Sequence, residues 1–309
     1  MPGGIMKQTV VPAYHPFRSA EARERYVAAV GALAEAWPLT SKTRIVETEY
    51  GQTLVRIDGP DDGPPLVFPP GAWSHSLHWS PAMIAALSET YRTYRIDEMG
   101  NLGLSVPARI LTGTADRMAW LDGLFDALGL TGPVSFLGIS RGAWLAAEYC
   151  LHAPERVAKV VWMSPGLVVQ RASLRNAGGG PRALAVFANP TPGSVGALMR
   201  WLMPEWERND GESFNDYVSH MALGLQCYAK IPSIGGPRVF SDAELAGITM
   251  PVLYMAGEGE KLLSVKAAVA RLAWVAPRIE VSVSVGAGHD ISSGDEDATI
   301  ERIRAFLDA

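Results

Sequence analysis

The sequence has few features of a secreted, membrane-spanning or nucleic-acid-binding protein. Its 309 residues include only two cysteines, Cys150 and Cys227, so we expect buried thiols rather than a disulfide framework. The 27 basic residues are outnumbered by 32 acidic ones and are scattered, which leaves no basic surface for nucleic acid. No run approaches the ~20 apolar residues that span a bilayer, and residues 1–11 lack the pattern of a signal peptide. We therefore expect a cytoplasmic protein with neither nucleic acid nor membrane as a partner.

The stretch 134–143 organises the rest of the chain. An apolar run with β-branched residues predicts a buried strand, which ends in Gly138-Ile139-Ser140-Arg141-Gly142 and is followed by a helical pattern over 144–149. The Gly-x-Ser-x-Gly pattern is frequent by chance, but between a strand and a helix it is typical of a sharp turn that exposes the hydroxyl. In such a turn, a Cβ on either flanking glycine would collide with the neighbouring strand or helix. Ser140 is therefore the candidate nucleophile.

Strands and helices alternate on both sides of this stretch. Periodicity predicts a helix over 18–37 capped by Ser19, a hairpin at 44–48 and 53–58, apolar strands at 66–68, 134–139, 157–163 and 250–256, and further strands at 91–96 and 279–285. Further helices are predicted at 79–88, 114–128, 263–275 and 299–307. This alternation is typical of an α/β fold with a mostly parallel central sheet that is covered by helices on both faces.

The alternation breaks down between residues 166 and 246. This part contains Gly178-Gly179-Gly180, several prolines, and helical patches rich in methionine and aromatic residues. It is too apolar for a linker and too irregular for the sheet, so we interpret 166–246 as a helical lid. The core is then 41–165 together with 247–309, preceded by an N-terminal helical extension over 1–40. The predicted substrate-binding residues are Trp73, His75, Trp201 and Met221.

A serine hydroxyl is a poor nucleophile at neutral pH, so it needs a base and a third group that orients the base. His289 follows a strand in a glycine-bracketed loop, which places it at the same sheet edge as Ser140. His75 and His78 follow an earlier strand and border the expected pocket, but they come from the wrong side of the chain for the base. The remaining histidines, His15, His152 and His220, fit structural positions. We therefore predict that His289 is the base.

Two carboxylates compete for the orienting role. Glu258 and Glu260 follow the same predicted strand, between Ser140 and His289 in chain order. Glu258 is flanked by glycines and fits the turn itself, so Glu260 is favoured, but the pattern leaves Glu258 open. Asp97 follows an earlier strand, and we expect it to bond nearby loop amides rather than to take part in catalysis.

The loop after strand 66–68 reads Pro69-Pro70-Gly71-Ala72-Trp73. A glycine just past a buried strand lets the backbone turn so that its N–H groups face a cleft. Acyl transfer needs such donors, because negative charge grows on the substrate oxygen in the transition state. Pro-Pro-Gly alone fits a tight turn equally well. Paired with Ser140, it indicates an oxyanion hole formed by the amides of Ala72 and Arg141.

From about residue 44 onward, these motifs resemble the α/β-hydrolase family, which has the same order of serine, acid and histidine. Gly257-Glu258-Gly259-Glu260 is similar to the acid loop of that family, and Gly288-His289 is similar to its histidine loop. The insertion falls where the family usually places its lid. The N-terminal helix, Pro70-Gly71-Ala72 and Tyr91-Arg92-Thr93-Tyr94 look like a bacterial carboxylesterase-like branch.

The sequence departs from the family pattern at three positions, none of which abolishes the chemistry. Pro70 stands in place of the histidine that usually precedes the oxyanion glycine, Glu260 where aspartate is commoner, and Ala143 where many members have a second glycine. Serine at the turn counts against the haloalkane dehalogenase and epoxide hydrolase branches, which use aspartate there.

The ordered set of Ser140, Glu260 and His289 indicates a serine hydrolase of the carboxylic ester hydrolase class. We expect it to cleave an ester or related acyl bond of a small, largely apolar substrate. Neither a cofactor nor a metal is expected. Two alternatives stay open. One is an acyltransferase, cyclase or thioesterase that uses the same triad on a biosynthetic intermediate, and the other is a non-catalytic ligand receptor on a hydrolase scaffold.

Overall fold

The structure, a computed structural model, describes residues 15–171, 178–229 and 236–309. Its helices are α1 (Ala20–Glu35), α2 (Pro81–Leu87), α3 (Thr114–Leu128), α4 (Arg141–His152), α5 (Gly179–Ala188), α6 (Pro192–Leu202), α7 (Pro204–Asn209), α8 (Gly211–Cys227), α9 (Asp242–Gly247), α10 (Val265–Val275) and α11 (Glu296–Asp308). Its strands are β1 (Lys42–Thr48), β2 (Gly51–Asp58), β3 (Pro65–Phe68), β4 (Arg92–Ile96), β5 (Val106–Pro107), β6 (Val134–Ile139), β7 (Val157–Met163), β8 (Val252–Gly257) and β9 (Glu280–Ser284).

The strands form one sheet in the order β1-β2-β4-β3-β6-β7-β8-β9. β1, β2 and the short β5 pair antiparallel, and β2 is also antiparallel to β4. From β4 to β9 every pairing is parallel. Parallel pairing explains why the central strands are apolar on both faces, since the connecting helices cover both sides. The predicted α/β fold with a mostly parallel sheet is confirmed.

Neighbouring residues of the central strands pack into different cores. In β6, Phe136 belongs to the core shared with α3, α4 and α10, whereas Leu137 belongs to the core shared with α2 and α11. Trp162 and Met163 of β7 divide in the same way. Successive side chains of a strand point to opposite faces, so a continuous apolar run supplies both cores. Each fully buried side chain of this size stabilises the fold by about 1.5–3 kcal/mol.

The helix ends follow capping side chains more closely than apolar periodicity. The helix predicted over 79–88 begins at Pro81, because the hydroxyl of Ser80 accepts a hydrogen bond from the Met83 amide (3.3 Å). The last helix begins three residues earlier than predicted, because the Asp295 carboxylate caps it by accepting from the Ala298 amide (3.0 Å). The elements β5 and α9 were not predicted, since both are too short to show a period.

The predicted N-terminal helix is present as α1 and begins after its predicted cap, Ser19, whose hydroxyl accepts from the Ala22 amide (3.1 Å). Its buried face, Tyr26 and Val30, packs against α8 and joins a small core with Tyr228. Helix α1 therefore contacts the helices between β7 and β8. Residues 1–14 of the predicted extension lie outside the described residues.

Among the described residues, five helices, α5 to α9, lie between β7 and β8 in the chain, and we call the first four, α5 to α8, the helical layer. They share an apolar core of their own that includes Leu198, Phe214 and Val218. Within the described parts of 166–246, the chain forms helices and loops but no named strand. Residues 172–177 and 230–235 of the predicted lid lie outside the described residues.

Cys150 and Cys227 are both buried free thiols, as predicted. Across the described part of the chain, every helix is too short or too polar to cross a lipid bilayer.

Candidate active site

Ser140 lies on a strained turn between β6 and α4. Its backbone has φ 52° and ψ −110°, a conformation that residues with a Cβ rarely adopt. The turn is held on both sides of the serine: the Ser140 amide donates to the Met163 carbonyl (2.9 Å), and the Ser140 carbonyl accepts from the Gly166 amide (3.0 Å). Strain of this kind, typically about 1–3 kcal/mol, persists only where the surroundings enforce it.

The two glycines of the motif are required by close backbone contacts, as predicted. A Cβ on Gly138 would lie 2.6 Å from the backbone nitrogen of Ala143. A Cβ on Gly142 would lie 2.0 Å from the carbonyl oxygen of Pro69, in the neighbouring loop. Neither position can hold a larger residue unless the backbone moves. The glycines therefore bring α4 against both its own strand and the loop after β3.

Ser140 opens onto a cavity of about 600 Å³ between the sheet edge and the helical layer. His289 lines the same cavity, as do Ala72 and the predicted substrate contacts Trp73 and Met221. Most of the lining is apolar and includes Met83, Leu198, Met199, Leu202, Met203 and Leu262. A site of this size and polarity is suited to a small apolar ligand.

His289 and Glu260 come from loops after two different strands, β9 and β8, and they meet at this edge. The Nδ1 atom of His289 lies 2.6 Å from Oε2 of Glu260, and both residues are buried. The other carboxylate oxygen, Oε1, accepts from the Leu262 amide (2.6 Å). Because a carboxylate only accepts, Nδ1 carries the proton, and the lone pair of the imidazole is at Nε2. Glu258, the open alternative, is exposed and does not make this contact.

The charges of this pair favour each other. Burial lowers the pKa of His289, but the charge of Glu260 and the hydrogen bond to it outweigh burial, so the pKa lies above its ordinary value. Burial raises the pKa of Glu260, but the His289 charge and hydrogen bonds from His289 and the Leu262 amide bring it below its ordinary value. Glu260 is thus a carboxylate that stabilises an imidazolium at His289.

The two predicted oxyanion amides lie on adjacent loops. Arg141 is the first residue of α4, where a backbone N–H has no partner within the helix. The loop that carries Ala72 is held by Asn101, whose side-chain amide donates to the Gly71 carbonyl (2.7 Å) and accepts from the Ser74 amide (3.3 Å). The loop and the start of α4 lie close together, since a Cβ on Gly142 would contact the carbonyl oxygens of Pro69 and Pro70, and Ala72 lines the same cavity as Ser140.

Sequence comparisons place this arrangement in a known family. A model of a family described by the alpha/beta hydrolase fold matches residues 64–294. Carboxylesterase YbfK of Bacillus subtilis is 30% identical over 304 residues, covering 94% of this chain and 96% of the relative. An uncharacterized carboxylesterase of the same organism, nap, is 30% identical over 294 residues, covering 92% and 93%. The chain belongs to the α/β-hydrolase family.

Solved structures agree with this assignment. The crystal structure of naproxen esterase (carboxylesterase NP) from Bacillus subtilis superimposes with a TM-score of 0.84 at 28% identity, covering 94% of this chain and 99% of that one. The crystal structure of carboxylesterase CesB (YbfK) from the same organism gives a TM-score of 0.81 at 27% identity, covering 93% and 98%. The predicted resemblance to a carboxylesterase-like branch is therefore confirmed.

Two of the four predicted substrate contacts in this α/β hydrolase are not among the described residues that line the cavity. His75 follows the oxyanion loop, but its side chain is fully buried, and its Nε2 lies 3.3 Å from Nδ1 of His220. The ring of Trp201 lies near the cationic groups of Arg182 and Lys261 and against the backbone of Gly179. For His75, closeness in sequence to the loop of Ala72 was a poor guide, and for Trp201, an aromatic residue in the predicted lid was not sufficient to predict a contact with the cavity.

A buried carboxylate that sequence reasoning missed lies beside the two predicted oxyanion residues of this hydrolase. Glu98 accepts two hydrogen bonds from Arg141, at 2.6 Å from Nη2 and 2.8 Å from Nε, and a weaker one from Asn101 at 3.3 Å. Its side chain is completely buried. Glu98 therefore joins the residue that begins α4 to the residue that holds the loop of Ala72. The available signal was its place directly after β4, in a loop that contains glycines.

Asp97, next to it, has the structural role predicted for this loop. Its carboxylate accepts hydrogen bonds from the amides of Ser76 (2.9 Å) and Leu104 (2.7 Å). Gly103 has φ 135°, and a Cβ there would lie 2.6 Å from this carboxylate. Asp97 thus fastens the loop after β4 to the loop after β3.

Proposed function

We propose that this α/β hydrolase cleaves ester bonds of small, largely apolar substrates through Ser140, His289 and Glu260. The observation that supports it best is the shared cavity. A serine on a strained turn and an imidazole already bonded to a buried carboxylate line the same apolar space. The carboxylesterase names of the relatives point to the same class of reaction.

In the proposed mechanism, the lone pair of His289 Nε2 accepts the proton of the Ser140 hydroxyl as its oxygen attacks the ester carbonyl. Glu260 stabilises the imidazolium that forms. The amides of Ala72 and Arg141 donate to the oxyanion of the tetrahedral intermediate. The imidazolium then returns its proton to the leaving alcohol, and an acyl group remains on Ser140. Water, deprotonated by His289, attacks this acyl-enzyme, and the imidazolium then protonates Ser140 Oγ as the acid leaves, which restores the free enzyme.

The composition of the cavity sets the expected substrate class. Methionines form much of its apolar lining, and their flexible side chains adapt to ligands of different shape. We propose that the helical layer serves as the lid of the site, since Leu198, Met199 and Met221 from α6 and α8 line the cavity. An acyl or alcohol group without charge fits this space, because a charged group would lose its hydration there.

The test is a series of p-nitrophenyl esters of graded acyl length, assayed with the wild-type protein and Ser140→Ala. We expect the wild type to release free acid, and the variant to lose turnover by a factor on the order of 10⁴ or more while staying folded. Turnover that survives in Ser140→Ala would refute the mechanism. Transfer of the acyl group to an added alcohol or thiol in place of water would favour the acyltransferase alternative.

A further inference from the structure

Three histidines outside the proposed catalytic set converge beside the cavity. His75 and His78 lie on the loop between β3 and α2, and His220 lies on α8. One ring nitrogen of each faces the other two, with all three atoms within 4.8 Å of one another. The loop and the helix are far apart in the chain, so the cluster forms only in the fold.

Two of the three nitrogen separations are those of metal ligands. Nδ1 of His220 lies 3.3 Å from Nε2 of His75 and 3.2 Å from Nε2 of His78. Two imidazole nitrogens that bind the same Zn²⁺ in tetrahedral geometry, each about 2.0–2.1 Å from it, are about 3.3–3.4 Å apart. The third pair lies within the 4.8 Å that bounds the whole cluster.

While His75 accepts from the Leu77 amide, protons alone do not satisfy the cluster. A neutral imidazole has one N–H and one lone pair. With Nδ1 of His75 accepting from Leu77 (3.3 Å), its Nε2–H donates to His220 Nδ1. Nε2 of His78 faces the same nitrogen. If Nε2 carries a proton, two N–H groups compete for one lone pair, and if it does not, two lone pairs face each other.

We propose that His75, His78 and His220 bind a divalent transition-metal ion of the kind that prefers imidazole, such as Zn²⁺. The ion would accept all three lone pairs at once. Nδ1–H of His78 would donate to the hydroxyl of Ser74, which lies 3.2 Å away and can accept it. His75 must carry its proton on Nδ1 when it binds the ion, so the long contact from Leu77 is lost on binding.

Packing restricts two of the three proposed ligands. The ring centroids of His75 and His78 lie 3.9 Å apart, which limits the orientations that the rings can adopt before an ion arrives. Neutral imidazole is the form that binds a metal.

The ion would fasten α8 of the helical layer to the loop that begins with the proposed oxyanion residue. Three nitrogens leave the fourth tetrahedral position for water, and His78 borders the cavity. The proposed role is structural, and it stands apart from ester cleavage. Its test therefore measures metal binding rather than turnover.

The experiment uses the full chain, treated with EDTA, dialysed, and titrated with Zn²⁺ against a chromophoric chelator. The wild type should take up one Zn²⁺ per chain tightly, and its midpoint of thermal unfolding should rise with added Zn²⁺. His220→Ala should lose more than about 100-fold in Zn²⁺ affinity. The control is His152→Ala, because His152 is a partly exposed histidine on α4 that bonds Asp122.

Co²⁺ provides a second measurement, which uses only the wild-type protein and therefore does not require that a variant folds. Wild-type protein with one equivalent of Co²⁺ should show the intense visible absorption of tetrahedral cobalt. A spectrum that shows no more than the weak absorption of six-coordinate Co²⁺ would overturn the proposal. So would a wild type that takes up no stoichiometric Zn²⁺, or a folded His220→Ala variant that binds it as tightly as the wild type.

Discussion

Glu260 serves two purposes with its two carboxylate oxygens. One oxygen holds Nδ1 of His289, and the other is held by the Leu262 amide. The side chain is longer than the aspartate common in the family, and contacts at both carboxylate oxygens orient it. This explains how the loop after β8 can present a glutamate without loss of the buried charge pair.

Glu260→Gln should change the pH dependence of ester turnover. Only neutral His289 accepts the serine proton, so kcat/KM of the wild type falls as the pH decreases through a pKa that lies above the ordinary 6.5. Glutamine removes the charge that raises this pKa, so the acid limb moves to lower pH, and the maximal rate falls by about 10⁴-fold because the tautomer is no longer fixed. The measurement is the pH profile of kcat/KM.

The matched control for that profile is Glu258→Gln, two residues away and exposed. It should leave both the rate and the acid limb unchanged. A Glu260→Gln profile that superimposes on the wild type, or a shift in Glu258→Gln, would contradict the assignment of Glu260.

Gly142→Ala tests the close approach at the nucleophile turn. Within a helix, this change normally stabilises by about 1 kcal/mol. Here the new Cβ would lie 2.0 Å from the Pro69 oxygen, so we expect a loss of about 1–3 kcal/mol in the free energy of unfolding, measured in urea. Gly132→Ala, with no atom within 4 Å of the added Cβ, should change it by less than about 0.5 kcal/mol. Equal stabilities for the two variants would be inconsistent with the structure.

At the scale of elements, the site depends on loops that follow β3, β4 and β6. The loop after β4 supplies both Asp97, which accepts from the Ser76 amide of the loop after β3, and Glu98, which accepts from Arg141 at the start of α4. Asn101 completes the connection through the Gly71 carbonyl. The positions of the two proposed oxyanion amides are therefore coupled through buried polar groups of a third loop.

Glu98→Gln should lower kcat by about 10- to 100-fold with little change in KM, because displaced oxyanion donors weaken transition-state binding alone. Steady-state kinetics on a good ester substrate separate the two constants. Glu89→Gln is the control, since Glu89 forms an exposed ion pair with Arg304 and should contribute almost nothing. An increase in KM at constant kcat in Glu98→Gln would show that Glu98 supports substrate binding instead.

At the scale of the whole molecule, the helical layer supplies part of the lining of the cavity onto which Ser140 opens. Met221 of α8 lines the cavity, whereas Val218, about one turn earlier, is buried in the core of the helical layer and outside the cavity's described lining. Met221→Ala should shift the preference of the enzyme toward longer or bulkier acyl groups. Val218→Ala should reduce stability and leave the order of preference unchanged. The same ester series measures both, and an unchanged order in Met221→Ala would place the acyl group elsewhere.

The sequence predicted the fold and the local motif well, because both depend on short-range patterns. An apolar strand indicates burial on both faces of the sheet. The two glycines around Ser140 indicate close backbone contacts that any sequence with this turn must make. The Glu98 and Arg141 pair joins positions 43 residues apart, and His75 and His220 are 145 apart. No periodicity encodes such pairs, so side-chain direction in the folded molecule was needed to find them. For the same reason, His75 and Trp201 were misplaced.

The central claim is that Ser140 is a nucleophile activated by His289, and fluorophosphonate labelling tests it most directly. Intact-mass measurement and peptide mapping should find one adduct per chain, on Ser140, and labelling should slow by about 10³-fold or more in His289→Ala. An adduct on a different residue, or labelling of Ser140 at the same rate without His289, would contradict the claim.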